Sequence, residues 1–137
     1  METLTDERKT QLHQLVRQYV EEGLAKGNFN AIPYRDDVEL RAPLCPDGSA
    51  VPLKGKQQLQ EVWWAPLPNL EESCEIVDTY VNEDQTGATV EFYCHLRAPN
   101  VTLRVMDRFR VDEEGKITAQ ENFFDPRDVT NPGWQQS

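Results

Sequence analysis

The stretch VMDRFRVDEEGKITAQENFFDP, Val105 to Pro126, decides how the chain is organised. Val105, Asp107, Phe109 and Val111 alternate with Met106, Arg108 and Arg110, which is the period of a strand with one apolar side. DEEG then supplies a tight turn before a second run, KITAQENFFD, so the stretch predicts a β-hairpin. The alternation sets Asp107 on the apolar side, where an ionised carboxylate is costly unless it is paired or neutral. Asp107 is therefore the first candidate functional residue. The simplest register across DEEG sets Asp107 opposite Gln120 and Val105 opposite Asn122, with Thr118 and Phe124 completing the inward side of the last strand. The expectation is a buried polar cluster of Asp107, Gln120 and Asn122.

Working outward, SCEIVDTYVNED, ATVEFYCHLR and VTLRVMDRFRV read as strands joined at EDQTG and APN, an antiparallel meander that ends in the same hairpin. In the middle strand Val90, Phe92, Cys94 and Leu96 share the inward face, and Glu91, Tyr93, His95 and Arg97 the outward one. Upstream the period changes. Leu12, Leu15, Val16, Tyr19, Val20 and Leu24 recur at three and four, which predicts an amphipathic helix over Thr5–Lys26, stopped by Gly27 and Asn28. DVELRAP alternates Val38, Leu40 and Ala42 against Glu39 and Arg41, a strand with one wet face. The Pro- and Gly-rich PLCPDGSAVPLKG is a loop, with Asp47 in a turn, and KQQLQEVWWAPL is a second short helix closed by Pro66. Asp125 reads as a solvated cap on the tail. The chain is read as one α+β domain over residues 1–137, its first helix laid across a curved antiparallel sheet.

Composition limits the partners. Lys and Arg total 14 against 24 Asp and Glu, a net charge of −10, which repels nucleic acid and anionic lipid. No window has the length and apolarity of a spanning helix, and METLTDERKT lacks the cationic and apolar regions of a signal peptide, so the sequence points to the cytoplasm. Three cysteines at wide spacing, Cys45, Cys74 and Cys94, suit neither a disulfide framework nor a C-x-x-C metal site. A nucleophilic Cys45 would want a base close by, and the chain offers just His13 and His95. No His/Cys/Asp cluster has ligand spacing, and no Gly-rich loop lies between a strand and a helix. Neither metal nor cofactor is expected.

The helix with its central tyrosine, the DDV…P strand, the G…W helix and the closing D-x-F-R…D-x-x-G-K-I…F-F-D-P hairpin resemble the SnoaL-like and ketosteroid isomerase branch of the nuclear transport factor two-like superfamily, with a cystatin-like fold. The resemblance covers nearly the whole chain. It implies a cone-shaped antiparallel sheet wrapped around the N-terminal helices. It also implies a pocket in which Tyr19 and a protonated Asp107 occupy the isomerase's two oxyanion-donor positions, the aspartate there being a carboxylic acid kept neutral by its apolar surroundings. The isomerase's general base falls on Ala42, so that group is missing. Where relatives carry an aspartate or a histidine in the last strand, this chain has Gln120 and Asn122, which recognise oxygen but move no proton at ordinary pH. His95 faces outward, away from any dehydratase-like role. Trp63 falls where isomerases support the helix-one tyrosine, Trp63 or Trp64 should close the pocket, and Phe92, Phe109, Phe124 and Val90 would supply its walls.

Two functional readings follow. One is a small-molecule-binding enzyme of the isomerase, cyclase or dehydratase sort, with Asp107 and Tyr19 as catalytic groups and an apolar, carbonyl- or hydroxyl-bearing metabolite held by Trp63, Phe92, Phe109, Gln120, Asn122 and Phe124. The other is a non-catalytic ligand-binding or dimerisation domain. Alternatively, Asp107 is a structural carboxylate paired with a cation. The outward stripe of Arg97, Arg104, Arg108 and Arg110 beside Tyr93 and Met106 has the composition of an interface, which predicts a homodimer through the outer sheet face.

Overall fold

The computed structural model describes residues 2–43, 45, 48–97 and 100–126; Asp47 lies outside them. Helix α1, Glu2–Gln18, continues into a π-helical turn, Tyr19–Leu24. There the Ala25 N–H donates to Val20 O, five residues back, at 2.8 Å. The wider turn lets two consecutive residues, Tyr19 and Val20, both face the core. Such π-bulges are commonest at functional sites. The predicted apolar stripe from Leu12 to Leu24 is buried throughout. Gly27, at φ +62°, takes the left-handed conformation that ends the helix.

The strands are β1 (Tyr34–Arg41), β2 (Leu53–Lys54), β3 (Glu71–Val81), β4 (Gly87–Leu96), β5 (Thr102–Val111) and β6 (Ile117–Phe123). They form a six-stranded sheet in the order β2-β1-β6-β5-β4-β3. Its edge strand β2 lies in the segment read as loop. Helix α2, Lys56–Gln58, passes into a second π-helical turn, Leu59–Trp64, and α3, Leu67–Leu70, leads into β3. The expectation of a wholly antiparallel sheet is corrected at one ladder: β6 inserts between β1 and β5 and runs parallel to β1. The helices carry the chain from β1 to the far edge, and three reversals then return β6 in β1's own direction.

The parity of β4 and β5 is as predicted, with Leu103, Val105, Asp107, Phe109 and Val111 buried between exposed neighbours. The register of the closing hairpin differs. Gly115, at φ +85°, closes the turn, and Asp112 Oδ1 accepts from the Glu114 and Lys116 N–H groups at 3.0 and 2.8 Å. A bulge then inserts Thr118: Val111 pairs with Ile117, yet Arg110 pairs with Ala119. Asp107 consequently faces Asn122, and Phe109 faces Gln120. Thr118 leaves the inward set and donates to Arg110 O at 3.4 Å.

An aromatic group fills the centre of the core. The Tyr19 ring meets Phe109 edge-on at 4.8 Å and Trp64 at 6.2 Å, while Phe29 stacks between Trp64 and Tyr34 at 5.3 and 5.4 Å. Edge-to-face pairs of this kind add to what burial alone contributes. Where β4 begins, backbone passes so close to β5 that a Cβ on Gly87 would lie 2.1 Å from Phe109 O. Among the described residues no helix is long and apolar enough to cross a membrane.

Candidate functional site

Between the π-turn of α1, the α2–α3 corner and the concave face of the sheet lies a cleft of about 50 Å³. Buried Asp107, Asn122, Tyr19, Phe92 and Val105 line it together with the partly buried Trp63, Leu67 and Phe124. Ligand sites for drug-sized molecules run to roughly 300–1,000 Å³. The rings of Trp63 and Phe124, both lining the cleft, stand 6.4 Å apart between centroids.

Behind the cleft, Gln120 organises the buried polar groups. Its Nε2 donates to Tyr19 Oη at 3.1 Å and to Asn122 Oδ1 at 2.8 Å, and its Oε1 accepts from Tyr34 Oη at 2.5 Å. Both amide donors are thus used. Because Tyr19 Oη accepts from Gln120, its own hydrogen is free for a further acceptor, and the Asp107 carboxyl is near enough for each group to act on the other. Burial, and then the Asp107 and Tyr34 charges, push the Tyr19 phenol well above its ordinary value. Burial likewise pushes Tyr34 up, against the opposing pull of the Trp64 indole. Trp64 Nε1 nonetheless has no hydrogen-bond partner.

Asp107 is 2% exposed, and its Oδ1 is buried with no hydrogen-bond partner. Loss of hydration raises its pKa to about 8, with hydrogen bonding from Tyr19 acting the other way. Among the described residues no Lys, Arg or His forms an ion pair with it. Burial thus favours the neutral carboxylic acid, a form that donates one hydrogen bond and accepts others.

A second acid reaches the cleft. Glu71, where α3 meets β3, is 7% exposed, and burial raises its pKa to about 7 against the stabilising Cys74 thiol and Arg97 charge. Cys74 Sγ donates to Glu71 Oε1 at 3.2 Å, whereas Arg97 Nη2 is spent on Glu71 O at 2.6 Å. Cys94 lines the cleft beside it.

Of the residues singled out from the sequence, Tyr19, Asp107, Asn122, Trp63, Phe92 and Phe124 all border the cleft. Gln120 and Phe109 stand one layer back, supporting Tyr19. Trp64, not Trp63, packs against the helix-one tyrosine. Ala42 is buried at the end of β1 and His95 faces outward, bonded to Thr102 and Glu75. Cys45 is buried, with its thiol raised by burial, so it is no activated nucleophile. Sequence reasoning missed Glu71 and Tyr34, and gave to Trp63 the support of Tyr19 that Trp64 provides. Tyr34 shares the even-numbered parity of Val38 and Leu40, a signal that could have found it.

A search of curated proteins finds no match to the chain. Solved structures do resemble it. An NTF-2 like protein of unknown function from Burkholderia xenovorans LB400 superposes with a TM-score of 0.69 at 18% identity, over 94% of this chain and 93% of its own. SalBIII, an epoxide hydrolase/cyclase-like enzyme in pyran ring formation in the polyether salinomycin, gives 0.69 at 17% identity, over 90% and 95%. RV0760c from Mycobacterium tuberculosis, in complex with estradiol-17beta-hemisuccinate, gives 0.68 at 13% identity, over 85% and 95%. Identities this low establish the fold, one shared by ligand-binding and cyclase-like proteins. Residues 16–120, which run from the last residues of α1 through the π-helical turn and the α2–α3 corner to Gln120 in β6, match the SnoaL-like domain, and the chain belongs to that family.

Proposed function

We propose that the cleft binds a small, largely apolar molecule through one carbonyl or hydroxyl oxygen, held by Asp107, Tyr19 and Asn122. The observation that carries this reading is the Asp107 Oδ1 atom, buried in the lining of an apolar cleft with no partner of its own. A neutral acid and a phenol already oriented by Gln120 form a preorganised pair of donors for an oxygen that gains negative charge. Such a pair suits isomerase, cyclase or dehydratase chemistry that passes through an enolate, with Asp107 as acid. The steroid held by RV0760c and the cyclase-like chemistry of SalBIII support a ligand of this class. A second reading, binding without catalysis, is favoured by the buried Ala42 at the position of the isomerase base.

We further propose that the protein is cytoplasmic and a homodimer through the outer sheet face. The free thiols suit a reducing compartment. The exposed side chains of Met106 and Phe123 are register partners on the outer face, with the Arg108 guanidinium 5.4 Å over the Phe123 ring. Exposed Met, aromatic and Arg side chains together are typical of interfaces.

Calorimetry with 2-naphthol, a mimic of an enolate, tests the binding reading. Asp107→Asn replaces the strongest donor by an amide and should weaken binding by about tenfold, some 1.4 kcal/mol. Wild-type affinity should also fall as pH rises through about 8, where Asp107 ionises. Equal affinity in the two proteins at neutral pH defeats the proposal.

A further inference from the structure

We propose that Glu71, Cys74 and Cys94 form a site for a thiophilic divalent cation of the zinc type at the side of the cleft, two thiolates and one carboxylate holding the ion. Cys74 and Cys94 are direct partners across the β3–β4 ladder, so their side chains project from the same face of the sheet. Glu71 lies three positions before Cys74, which on a regular strand would put the carboxylate on the opposite face. A bulge between Glu71 and Ser73 removes that mismatch. Bulges re-aim side chains in this way beside functional sites. The resulting ligand atoms all lie within 4.8 Å of one another. A tetrahedral ion at ~2.3 Å from sulfur and ~2.0–2.2 Å from oxygen wants them about 3.5–3.8 Å apart, a contraction within reach of small side-chain rotations.

The arrangement also lacks a better occupant. The Glu71 carboxylate is buried beside one neutral thiol, a weak donor, while the neighbouring guanidinium is bonded to the backbone oxygen instead. A cation would offset the hydration this carboxylate has lost. Two sulfur ligands select zinc-like ions over magnesium or calcium. Glu71 and Cys94 both border the cleft, so the fourth coordination position faces a space that a small molecule can occupy. Three protein ligands with an open fourth position is the pattern of zinc sites that act on bound molecules. The expectation of no metal, drawn from sequence spacing, has no force at this corner because register and a bulge bring the donors together. The proposal stands apart from the reading at Asp107 and does not depend on it.

Cobalt substitution tests it. Reduced, chelator-treated protein titrated with Co²⁺ should develop thiolate-to-cobalt charge transfer in the near ultraviolet, with the strong visible bands of tetrahedral cobalt, saturating at one equivalent. Zn²⁺ should bleach both. Binding expels thiol protons, so affinity should rise with pH. Cys74→Ser and Cys94→Ser should each roughly halve the charge-transfer intensity, one of two thiolates being lost, while Cys45→Ser leaves it unchanged. Glu71→Gln should keep that intensity and lower affinity by at least about tenfold. If Cys94→Ser fails to fold, the half-exposed Cys74 carries the same measurement. No charge-transfer band at equimolar Co²⁺, a band indifferent to Cys74→Ser, or a Cys74–Cys94 disulfide in protein isolated without air overturns the proposal.

Discussion

Asp107 stands directly opposite Asn122 across β5 and β6, and both side chains are buried. The burial of Asp107 has a consequence for stability. The folded chain keeps a proton on Asp107 up to about pH 8, whereas the unfolded chain releases it near ~4. Asp107's contribution is thus fully present below the ordinary carboxyl value and is lost as pH rises through about 8, with a slope of about 1.4 kcal/mol per pH unit between. Asp107→Asn has no such slope. Urea unfolding should find the two proteins closest near pH ~4 and the variant increasingly the more stable as pH rises toward 8; a wild type that gains on the variant over that range would show Asp107 ionised in the folded state.

Gln120 is the hub of the site, and its removal should be severe. Gln120→Leu leaves Tyr34 Oη and Asn122 Oδ1 without their partners and takes from Tyr19 Oη the bond that orients it. Each buried polar group left unsatisfied costs roughly 1–3 kcal/mol, so a total loss on the order of 3 kcal/mol is expected from denaturant midpoints. A loss below about 1 kcal/mol would mean that water replaces the amide at once.

The adjacent tryptophans should separate by effect. Trp64 is 3% exposed among Tyr19 and Phe29, and Trp64→Ala should cost about 3–5 kcal/mol. Trp63 is half-buried in the cleft lining against Phe124, so Trp63→Ala should cost much less and should speed 2-naphthol association by widening the cleft. Stopped-flow fluorescence and thermal melts check both. Equal destabilisation by the two substitutions would contradict this division.

The outer-face dimer predicts that Arg108→Glu weakens self-association. The substitution removes the Arg108–Glu121 pair at 3.1 Å and sets like charges against one another on the face. Sedimentation should show a dimer at micromolar concentration for the wild type and a lighter species for the variant. A wild-type monomer at that concentration would leave this face simply solvated.

The alternation in β4 and β5 made the inward set legible, because Val90 to Leu96 and Leu103 to Val111 obey a strict period of two. That was enough to place Asp107 on the inward side of the sheet, while Tyr19 followed from the helix's own period of three and four. What the sequence hid were departures from that period. The turn sets Val111 opposite Ile117, one residue later than the simplest register, and Thr118 adds one more to β6, so Asp107 meets Asn122 in place of Gln120. The irregularity near Glu71 likewise turned a residue that counting sends outward into the cleft. The π-helical turn Leu59–Trp64 decided which tryptophan faces Tyr19, a choice of about one residue that a 3.6 period does not make. The parallel β1–β6 ladder joins segments too far apart for local pattern to reveal.

That ladder bears on the order in which the chain takes shape during synthesis. Among the described residues β6 is the last strand in sequence, and it occupies the middle of the sheet, between β1 and β5. Until Ile117–Phe123 has left the ribosome, the β2–β1 pair and the β3–β4–β5 meander have no shared hydrogen bonds to join them, and each presents an open edge to neighbouring chains. The same late strand delivers Gln120 and Asn122. A nascent chain halted before β6 would therefore have two unjoined pieces of sheet and half of its polar centre, and would need protection by a chaperone for as long as the last strand is delayed.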